Sequence, residues 1–224
     1  MEQVFIFGAG GHAKVVLDII EKQGLYEPIF IVDDNPGLKG KTFFGYRILG
    51  GREELLGATE SPRAVKCIVG IGDNTNRLIV AHWLAENHYE LVRAVHPSVQ
   101  LARGVSIGVN SVVMAGCVIN SDTRIGDSVI INTGATVDHD CTIQDDVHIA
   151  PGCHLCGTVT VGRATLLGAG TIVAPGTTIG GNTVVGAGSV ITEDIPDEVV
   201  AAGHPAKVIK RNAVETSTPN AKSF

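Results

Sequence analysis

The chain has 224 residues, of which 44% are hydrophobic, and it carries a formal net charge of −6. That hydrophobic content supports a sizeable buried core and excludes a disordered protein. The acidic balance argues against a nucleic-acid partner, because phosphate neutralisation needs clustered Lys and Arg that this sequence lacks. We expect small-molecule ligands instead.

The sequence also predicts the cellular compartment of the protein. Five cysteines, an odd number, fit a reducing environment better than a disulfide framework. The N-terminal residues lack the basic start and the long apolar run of a signal peptide, and no stretch approaches the roughly 18 apolar residues of a membrane span. We therefore expect a cytoplasmic protein that makes no contact with a membrane.

Residues 1–92 are predicted to form a Rossmann-like α/β domain. The apolar pattern predicts, in order, a strand at 4–7, a glycine-rich turn at 8–13, a helix that ends at Gly24, strands at 29–32 and 65–69, and a helix at 75–87. The buried stripe of the first helix is expected to consist of Val15, Val16, Ile19 and Ile20.

The glycine-rich turn is a candidate phosphate site. Gly8, Gly10 and Ala13 stand in a spacing that offers backbone N–H groups and a helix N-terminus to a phosphate. Asp33 and Asp34, about 25 residues later, can accept hydrogen bonds from a ribose or a base. The small size of the domain favours a mononucleotide or a nucleotide sugar over a dinucleotide. A tight strand-to-helix turn without a ligand would show the same glycine pattern.

Residues 93–200 carry a repeat with a period of six. Starting at Val95, every sixth residue is Val, Leu or Ile for seventeen consecutive positions, which we call the anchor residues. Chance gives such a run with a probability on the order of 10⁻¹⁰. From Val105 onwards, the residue two positions before each anchor is small or β-branched. This pattern indicates short strands whose alternate side chains face inward.

Turns are predicted three residues after the anchors, where residue types that tolerate a left-handed backbone recur. These residues are Asn110, Gly116, Asp122, Gly134, Asp140, Asp146, Gly152, Gly170, Gly176, Asn182 and Gly188. A solenoid core of small aliphatic side chains explains why 28 residues are glycine while only 4% are aromatic. The pattern resembles the hexapeptide-repeat proteins, which wind three hexads into each coil of a left-handed parallel β-helix. Seventeen hexads would make between five and six coils.

The repeat region contains three candidates for a general base, His139, His148 and His154. His139 follows an anchor by two residues, so it is predicted at a corner, where Asp138 and Asp140 would favour its charged form. A histidine among acids at a solvated turn is also ordinary surface, and the local pattern leaves both interpretations open. Asp140 can reach His139 only if the corner bends the backbone, because adjacent strand residues point to opposite faces.

A metal site is the alternative use of these histidines. Residues stacked on one face of such a coil differ by about eighteen positions, whereas the three histidines are separated by nine and six. They form no ligand set, and we expect no metal. Cys117, Cys141 and Cys153 each stand two residues before an anchor, which predicts small core fillers rather than nucleophiles or ligands.

Six stretches across nearly the whole chain resemble the sugar O- and N-acyltransferases related to sialic acid O-acetyltransferase. They are FIFGAGGHAK at 5–14, IVDD at 31–34, GIGDN at 70–74, AVHPS at 94–98, INTGATVDHD at 131–140 and AGHPAK at 202–207. The likeness is greatest to the N-acetyltransferases that act on nucleotide-linked 4-amino-4,6-dideoxy sugars, of the GDP-perosamine and UDP-bacillosamine type. The resemblance implies an acetyl-CoA-dependent acyltransferase that assembles as a homotrimer.

The resemblance also implies roles for individual residues. His139 would be the general base that takes a proton from the sugar 4-amine, Asp140 would raise its base strength, and Asn132 would lie near the amine. The nucleotide sugar would be contacted by Gly10, Gly11, His12, Asp33 and Asp34. An acetyl-CoA groove between neighbouring subunits would be lined by His148, Gly157, Ala169 and Lys207.

Two further functions fit the same sequence. One is O-acetylation of sialic acid or another sugar, for which the acceptor would be a hydroxyl group. The other is a nucleotide-sugar-binding module without enzymatic activity, in which the β-helix serves only to trimerise the chain. Residues 201–224 are predicted to be a C-terminal segment that ends in a mobile polar tail from about residue 214.

Overall fold

The computed structural model describes residues 1–58 and 65–212. The chain forms two compact units, of which the first contains Met1–Ala94 and the second begins at Val95. The predicted mobile tail at residues 214–224 lies outside the described residues. Over the described part of the chain, no helix is both long and apolar enough to cross a membrane.

The first unit is an α/β domain around a parallel sheet, as predicted. Its elements are β1 (Glu2–Phe7), α1 (Gly11–Gln23), β2 (Tyr26–Val32), a 3-10 turn (Pro36–Leu38), β3 (Thr42–Phe43), β4 (Tyr46–Arg47), α2 (Arg52–Ala58), β5 (Lys66–Val69), α3 (Asn74–Glu86) and β6 (Glu90–Leu91). The sheet has the order β2-β1-β5-β6, and each neighbouring pair is parallel. The sequence does not predict the hairpin β3–β4 or the short helix α2, because neither carries a long apolar pattern.

Helix α1 buries one face against β1 and β2. The prediction that Val15 belongs to that face is wrong, because its side chain is 37% exposed whereas Leu17 is 1% exposed. At 3.6 residues per turn, Leu17 lies on the same side as Ala13 and Ile20, and Val15 lies away from them. The helix ends where predicted, at Gly24, whose φ of 66° is left-handed and whose N–H donates to the Ile20 carbonyl at 3.2 Å.

The second unit is a parallel β-helix, which confirms the predicted solenoid. Each of its seventeen two-residue strands ends on an anchor residue. In chain order they are β7 (Ala94–Val95), β8 (Gln100–Leu101), β9 (Ser106–Ile107), β10 (Val112–Val113), β11 (Val118–Ile119), β12 (Arg124–Ile125), β13 (Ile130–Ile131), β14 (Thr136–Val137), β15 (Thr142–Ile143), β16 (His148–Ile149), β17 (His154–Leu155), β18 (Thr160–Val161), β19 (Leu166–Leu167), β20 (Ile172–Val173), β21 (Thr178–Ile179), β22 (Val184–Val185) and β23 (Val190–Ile191).

The strands of the β-helix form three faces. The first face holds β7, β10, β13, β16, β19 and β22, the second holds β8, β11, β14, β17, β20 and β23, and the third holds β9, β12, β15, β18 and β21. Because each coil contains three hexads, every residue pairs with the residue eighteen positions later, as in the run Val113, Ile131 and Ile149. Two further strands, β24 (Val199–Gly203) and β25 (Ala206–Arg211), form an antiparallel pair that continues the first face.

The interior of the β-helix consists of the anchors from Val113 onward and the small residues that precede them, whereas Leu101, an anchor of the first coil, is 47% exposed. Cys117, Cys141 and Cys153 are fully buried core residues, as predicted, and burial raises the pKa of the Cys117 thiol to about 11. Inward hydroxyls bond to the backbone. Thr165 Oγ1 donates to the Gly180 carbonyl at 2.6 Å and accepts from the N–H of the next coil at 3.1 Å. Small residues therefore fill the narrow coil without leaving buried polar groups unsatisfied.

Left-handed residues close the corners between the faces. Every residue predicted to be left-handed three positions after an anchor has a positive φ. The structure adds Gly104, at 80°, and three non-glycine residues that the sequence does not predict: Ser128 at 55°, Thr158 at 60° and Ala164 at 56°. In this conformation a Cβ crowds the following carbonyl oxygen, so the coil geometry imposes a strained backbone at these corners.

Replacing Ala164 with glycine should stabilise the protein by up to about 1 kcal/mol, because the removed Cβ relieves more strain than the added backbone freedom costs. The matched control is Ala115→Gly, since Ala115 is half-buried at another corner and is not left-handed. The control should destabilise by roughly 0.5–1 kcal/mol. Free energies of unfolding from denaturant titration test both changes, and an Ala164→Gly variant less stable than wild type would contradict the interpretation.

Candidate active site

His139 lies at the corner between the second and third faces, two residues after the anchor of β14. The next residue, Asp140, is left-handed with a φ of 58°, and its N–H donates to the Ser121 carbonyl at 3.0 Å. The backbone therefore bends at this point, and Asp140 Oδ2 lies 2.8 Å from His139 Nδ1. The left-handed corner brings onto one side two neighbouring side chains that a regular strand would separate.

The contact with Asp140 determines the charge and orientation of the imidazole. The hydrogen bond that His139 donates to Asp140 is the largest cause of the raised pKa of His139; desolvation opposes it, and the negative charges of Asp138 and Asp140 add to it. More than half of the His139 side chain, 56%, is exposed. Because an ionised Asp140 accepts from Nδ1, the neutral ring carries its proton there, and Nε2 is the basic nitrogen. The ring can therefore accept a proton from a ligand at Nε2.

Asp138 holds the backbone of this corner. Its Oδ1 accepts from the His139 N–H at 3.0 Å and from Asn120 Nδ2 at 2.8 Å. The hydrogen bond from Asn120 and then that from the His139 N–H lower the pKa of Asp138. Asn120 is absent from the sequence-based site because it lies eighteen residues away, in the preceding coil. Only the coil length could have indicated this contact.

Gly157 lies one coil after His139, directly against the imidazole ring. A Cβ built on Gly157 would stand 2.6 Å from both Cε1 and Nε2 of His139, closer than real carbon contacts allow. A side chain at this position would therefore displace the imidazole ring, whereas the backbone of Gly157, whose φ is not left-handed, does not itself call for glycine. The resemblance assigned Gly157 to the acetyl-CoA groove, and the structure places it beside the candidate base.

Asn132 and His148 form a second group. Asn132 follows the anchor of β13 on the first face, and its Nδ2 lies 3.2 Å from Nε2 of His148, which faces outward on β16. The Asn132 Oδ1 accepts from the Thr133 N–H at 2.8 Å. Within one chain, Asn132 therefore contacts His148 at the corner before the one that carries His139.

Ala169 and Lys207 belong to the same side of the β-helix as this second group. Ala169 is an exposed corner residue after β19, and its carbonyl accepts from the Gly188 N–H at 2.8 Å. Lys207 lies on β25, where its Nζ is 3.2 Å from Glu193 Oε2. The Lys207 side chain is exposed.

The first unit presents the glycine-rich turn at the carboxyl end of β1. Gly10 is the N-cap of α1, with extended backbone, and Gly11 is the first residue of the helix. A Cβ at Gly10 or Gly11 would meet no atom within 4 Å, so the chain itself does not require glycine at these two positions. Open space and a helix N-terminus together favour the close approach of a ligand phosphate. His12 is half-buried in the first turn of the helix.

Asp33 and Asp34 lie at the adjacent carboxyl end of β2, and both already have protein partners. Asp33 Oδ2 accepts from the Ala9 N–H at 2.8 Å, and its Oδ1 accepts from the Asn35 N–H at 2.9 Å. Asp33 therefore fixes the glycine-rich turn. Each carboxylate oxygen can accept a second hydrogen bond, so a ligand hydroxyl could still bind here.

Asp34 is paired with Arg52, a residue for which the sequence gives no signal. Asp34 Oδ1 accepts from the Arg52 N–H at 3.1 Å, and its Oδ2 lies 3.4 Å from the guanidinium Nε. The guanidinium carbon of Arg52 also lies 5.8 and 5.3 Å from the ring centroids of Phe7 and Trp83. These contacts place a fixed cation at the edge where β1 and β2 end.

The structure thus divides the predicted residues into separate groups. His139, Asp140 and Gly157 share the second corner of the β-helix, whereas Asn132, His148, Ala169 and Lys207 belong to the first face and its corner. The first unit carries the remainder, Gly10, Gly11, His12, Asp33 and Asp34. Within residues 1–58 and 65–212, no three His, Cys, Asp or Glu side chains gather where they could hold a metal ion.

Family models match both units. The model of the PglD N-terminal domain matches residues 3–84. The model of the bacterial transferase hexapeptide (six repeats) matches residues 122–157 and 158–193, and the hexapeptide repeat of succinyl-transferase matches residues 95–121. The matches cover the sheet domain and most of the β-helix.

Solved structures resemble the chain over nearly its whole length. Perosamine N-acetyltransferase from Caulobacter crescentus, as a histidine-to-asparagine mutant in complex with CoA and GDP-perosamine, is 40% identical with a TM-score of 0.84, covering 92% of this chain and 95% of that one. The acetyltransferase domain of PglB from Neisseria gonorrhoeae FA1090 is 36% identical with a TM-score of 0.85, covering 93% of this chain and 100% of that domain.

A curated relative adds a partial match. UDP-N-acetylbacillosamine N-acetyltransferase of Bacillus subtilis (strain 168) is 37% identical over 122 residues, which are 51% of this chain. The matched region spans about half of that relative's length, 52%.

Replacing Gly157 with alanine should lower the pKa of His139, because the added methyl group collides with the ring and moves Nδ1 away from Asp140. NMR titration of the imidazole measures this pKa in both proteins. Gly57→Ala is the control, since a methyl group there meets no atom within 4 Å. A Gly157→Ala variant with the wild-type pKa would show that the ring keeps its bond to Asp140 without the glycine.

Proposed function

Because the chain belongs to the sugar O- and N-acyltransferases related to sialic acid O-acetyltransferase, we propose that it is an acetyl-CoA-dependent N-acetyltransferase. Its acceptor is the 4-amino group of a nucleotide-linked 4-amino-4,6-dideoxy sugar. The observation that carries this proposal is the His139–Asp140 pair, with Nδ1 and Oδ2 2.8 Å apart on an exposed corner. The similar perosamine N-acetyltransferase from Caulobacter crescentus, solved in complex with CoA and GDP-perosamine, supports the choice of substrates.

In the proposed reaction, the sugar amine attacks the thioester carbonyl carbon of acetyl-CoA. The C–N bond forms and the C–S bond breaks; the amine proton passes to Nε2 of His139, which then gives it to the departing sulfur, so that coenzyme A leaves as the thiol. Asp140 keeps Nδ1 protonated and stabilises the imidazolium that forms. Proton removal of this kind contributes roughly 10² to 10⁴ in rate, and alignment of the two substrates contributes more.

The nucleotide part of the acceptor is proposed to bind the first unit. The pyrophosphate would approach the N-terminus of α1 over Gly10 and Gly11, where a side chain would meet nothing. His12 would contact the sugar nucleotide from the first turn of the helix. Asp33 and Asp34 would accept hydrogen bonds from the ribose or the base, because each carboxylate oxygen can accept a second hydrogen bond besides the one from the protein.

A homotrimer is proposed because the predicted residues divide between two corners of one β-helix. His139 and Gly157 lie at one corner, and Asn132 and His148 lie at the corner before it. A groove that joins both groups around acetyl-CoA forms if the second corner of one copy faces the first corner of another. Ala169 and Lys207 extend the same face and would line the groove with His148.

The His139→Ala variant should keep the wild-type fold and lose roughly 10²- to 10⁴-fold in kcat, because an exposed base is removed without a change in the core. The measurement is the release of coenzyme A thiol with GDP-perosamine or a UDP-linked 4-amino sugar as acceptor. His82→Ala, a change of an exposed histidine on α3, is the matched control and should retain activity.

Three results would overturn the proposal. A near-wild-type kcat in His139→Ala would show that His139 is not the general base. Faster turnover with an acceptor that carries a hydroxyl in place of the 4-amine would favour the O-acetyltransferase instead, and no thiol release with any sugar acceptor would favour a binding module.

A further inference from the structure

Among the described residues of the first unit, 1–58 and 65–94, one charged side chain is fully buried: Arg77 on α3, with an exposed fraction of 0%. A buried guanidinium is costly unless its N–H groups are bonded to fixed acceptors. The proposed acetyl transfer does not use this residue. Its position beside the carboxyl end of β5 therefore calls for another explanation.

Arg77 bonds to the loop that joins β5 to α3, residues 70–74. Its guanidinium donates to the Gly72 carbonyl at 3.1 Å, to the Ile71 carbonyl at 3.4 Å and to Asn74 Oδ1 at 2.8 Å. At the start of α3, Asp73 caps the helix by accepting from the Asn76 N–H at 2.9 Å. The guanidinium and the cap together fix the path of this loop.

The loop lies against the glycine-rich turn after β1. A Cβ on Gly8 would stand 3.1 Å from the Gly70 carbonyl oxygen, and a Cβ on Gly70 would stand 2.9 Å from Ala13. A Cβ on Gly72 would stand 3.6 Å from the Cβ of His12. Glycines thus allow two backbone segments to approach each other closely, and Arg77 holds one of the two.

This meeting point is the topological switch point of the sheet. The chain leaves β1 through α1 to reach β2 on one side, whereas β5 pairs with β1 on the other side. In open parallel sheets, ligands bind outside the carboxyl ends of the strands where the strand order reverses. The loop at residues 70–74 therefore forms a second wall of that crevice, opposite the glycine-rich turn.

We propose that Arg77 is a positioning residue for the nucleotide-sugar site, which it shapes by holding Gly72 beside His12. The inference rests on the proposed function for the identity of the ligand. Arg77 itself is buried and touches no substrate, so its effect reaches the ligand through the loop. Loss of its hydrogen bonds loosens the wall against which the sugar nucleotide lies and leaves the acetyl-CoA groove unchanged.

Steady-state kinetics with each substrate varied in turn test this role in Arg77→Lys. A lysine keeps the charge but cannot bond all three acceptors in the geometry of a guanidinium. We expect the KM for the nucleotide sugar to rise about tenfold, the factor that corresponds to one lost charge-assisted hydrogen bond. The KM for acetyl-CoA and kcat should stay within about twofold of wild type.

Two further variants separate positioning from stability. Asn74→Ala removes one acceptor of the guanidinium and should raise the same KM by a smaller factor, which keeps the test open if Arg77→Lys folds poorly. Arg47→Lys makes the same chemical change on the exposed strand β4 and should leave both KM values unchanged. A purely structural role would reduce the fraction of folded enzyme, which lowers kcat and moves neither KM.

Calorimetry with the nucleotide sugar alone distinguishes the two levels of the proposal. If the wild-type protein binds the nucleotide sugar and Arg77→Lys and Asn74→Ala bind it with the same affinity, the positioning role is overturned and the proposed function is left intact. An absence of nucleotide-sugar binding in the wild-type protein would overturn the proposed function and this inference with it. Weakened binding in both variants, with acetyl-CoA affinity unchanged, is the expected result.

Discussion

The architecture of the second unit depends on one constraint, the parallel pairing of each strand residue with the residue eighteen positions away, which backbone hydrogen bonds between neighbouring coils hold in register. Backbone ladders such as Val112 to Ile130 to His148 repeat along each face, so every side chain has a fixed neighbour above and below. The candidate base is a product of that stacking. Asp140 is anchored to the preceding coil through Ser121, and the ring of His139 lies over Gly157 in the following one.

The periodic part of the fold could be predicted from the sequence because a repeat of six residues restricts each position to few residue types. All seventeen anchors end strands, and the small residues before them are inward. The prediction of the backbone conformation fails where a corner is left-handed but its residue type does not favour that conformation. Ser128, Thr158 and Ala164 are left-handed although none of them is a residue type that favours this conformation. The predicted buried stripe of α1 includes Val15, whereas the structure places Leu17 on that face, in a run where apolar residues are consecutive.

The candidate site was predictable only where its contacts are local in sequence. His139 and Asp140 are adjacent, so their pairing was open to a sequence-based hypothesis, and the left-handed corner supplied the missing geometry. Asn120 and Arg77 gave no such signal. Asn120 contacts Asp138 across one coil. Arg77 bonds to backbone carbonyls of a loop, and because every residue has a carbonyl, the sequence does not indicate which ones it contacts. Tertiary contacts of this kind need coordinates.

The pH dependence of kcat, at saturating concentrations of both substrates, tests most directly whether His139 is a base tuned by Asp140. The acid limb of such a profile reports the protonation of the base in the enzyme–substrate complex. Because Asp140 favours the imidazolium, removing its charge in Asp140→Asn makes the ring easier to deprotonate. The account predicts that the acid limb moves to lower pH in this variant. An acid limb that stays in place, or moves to higher pH, would contradict it.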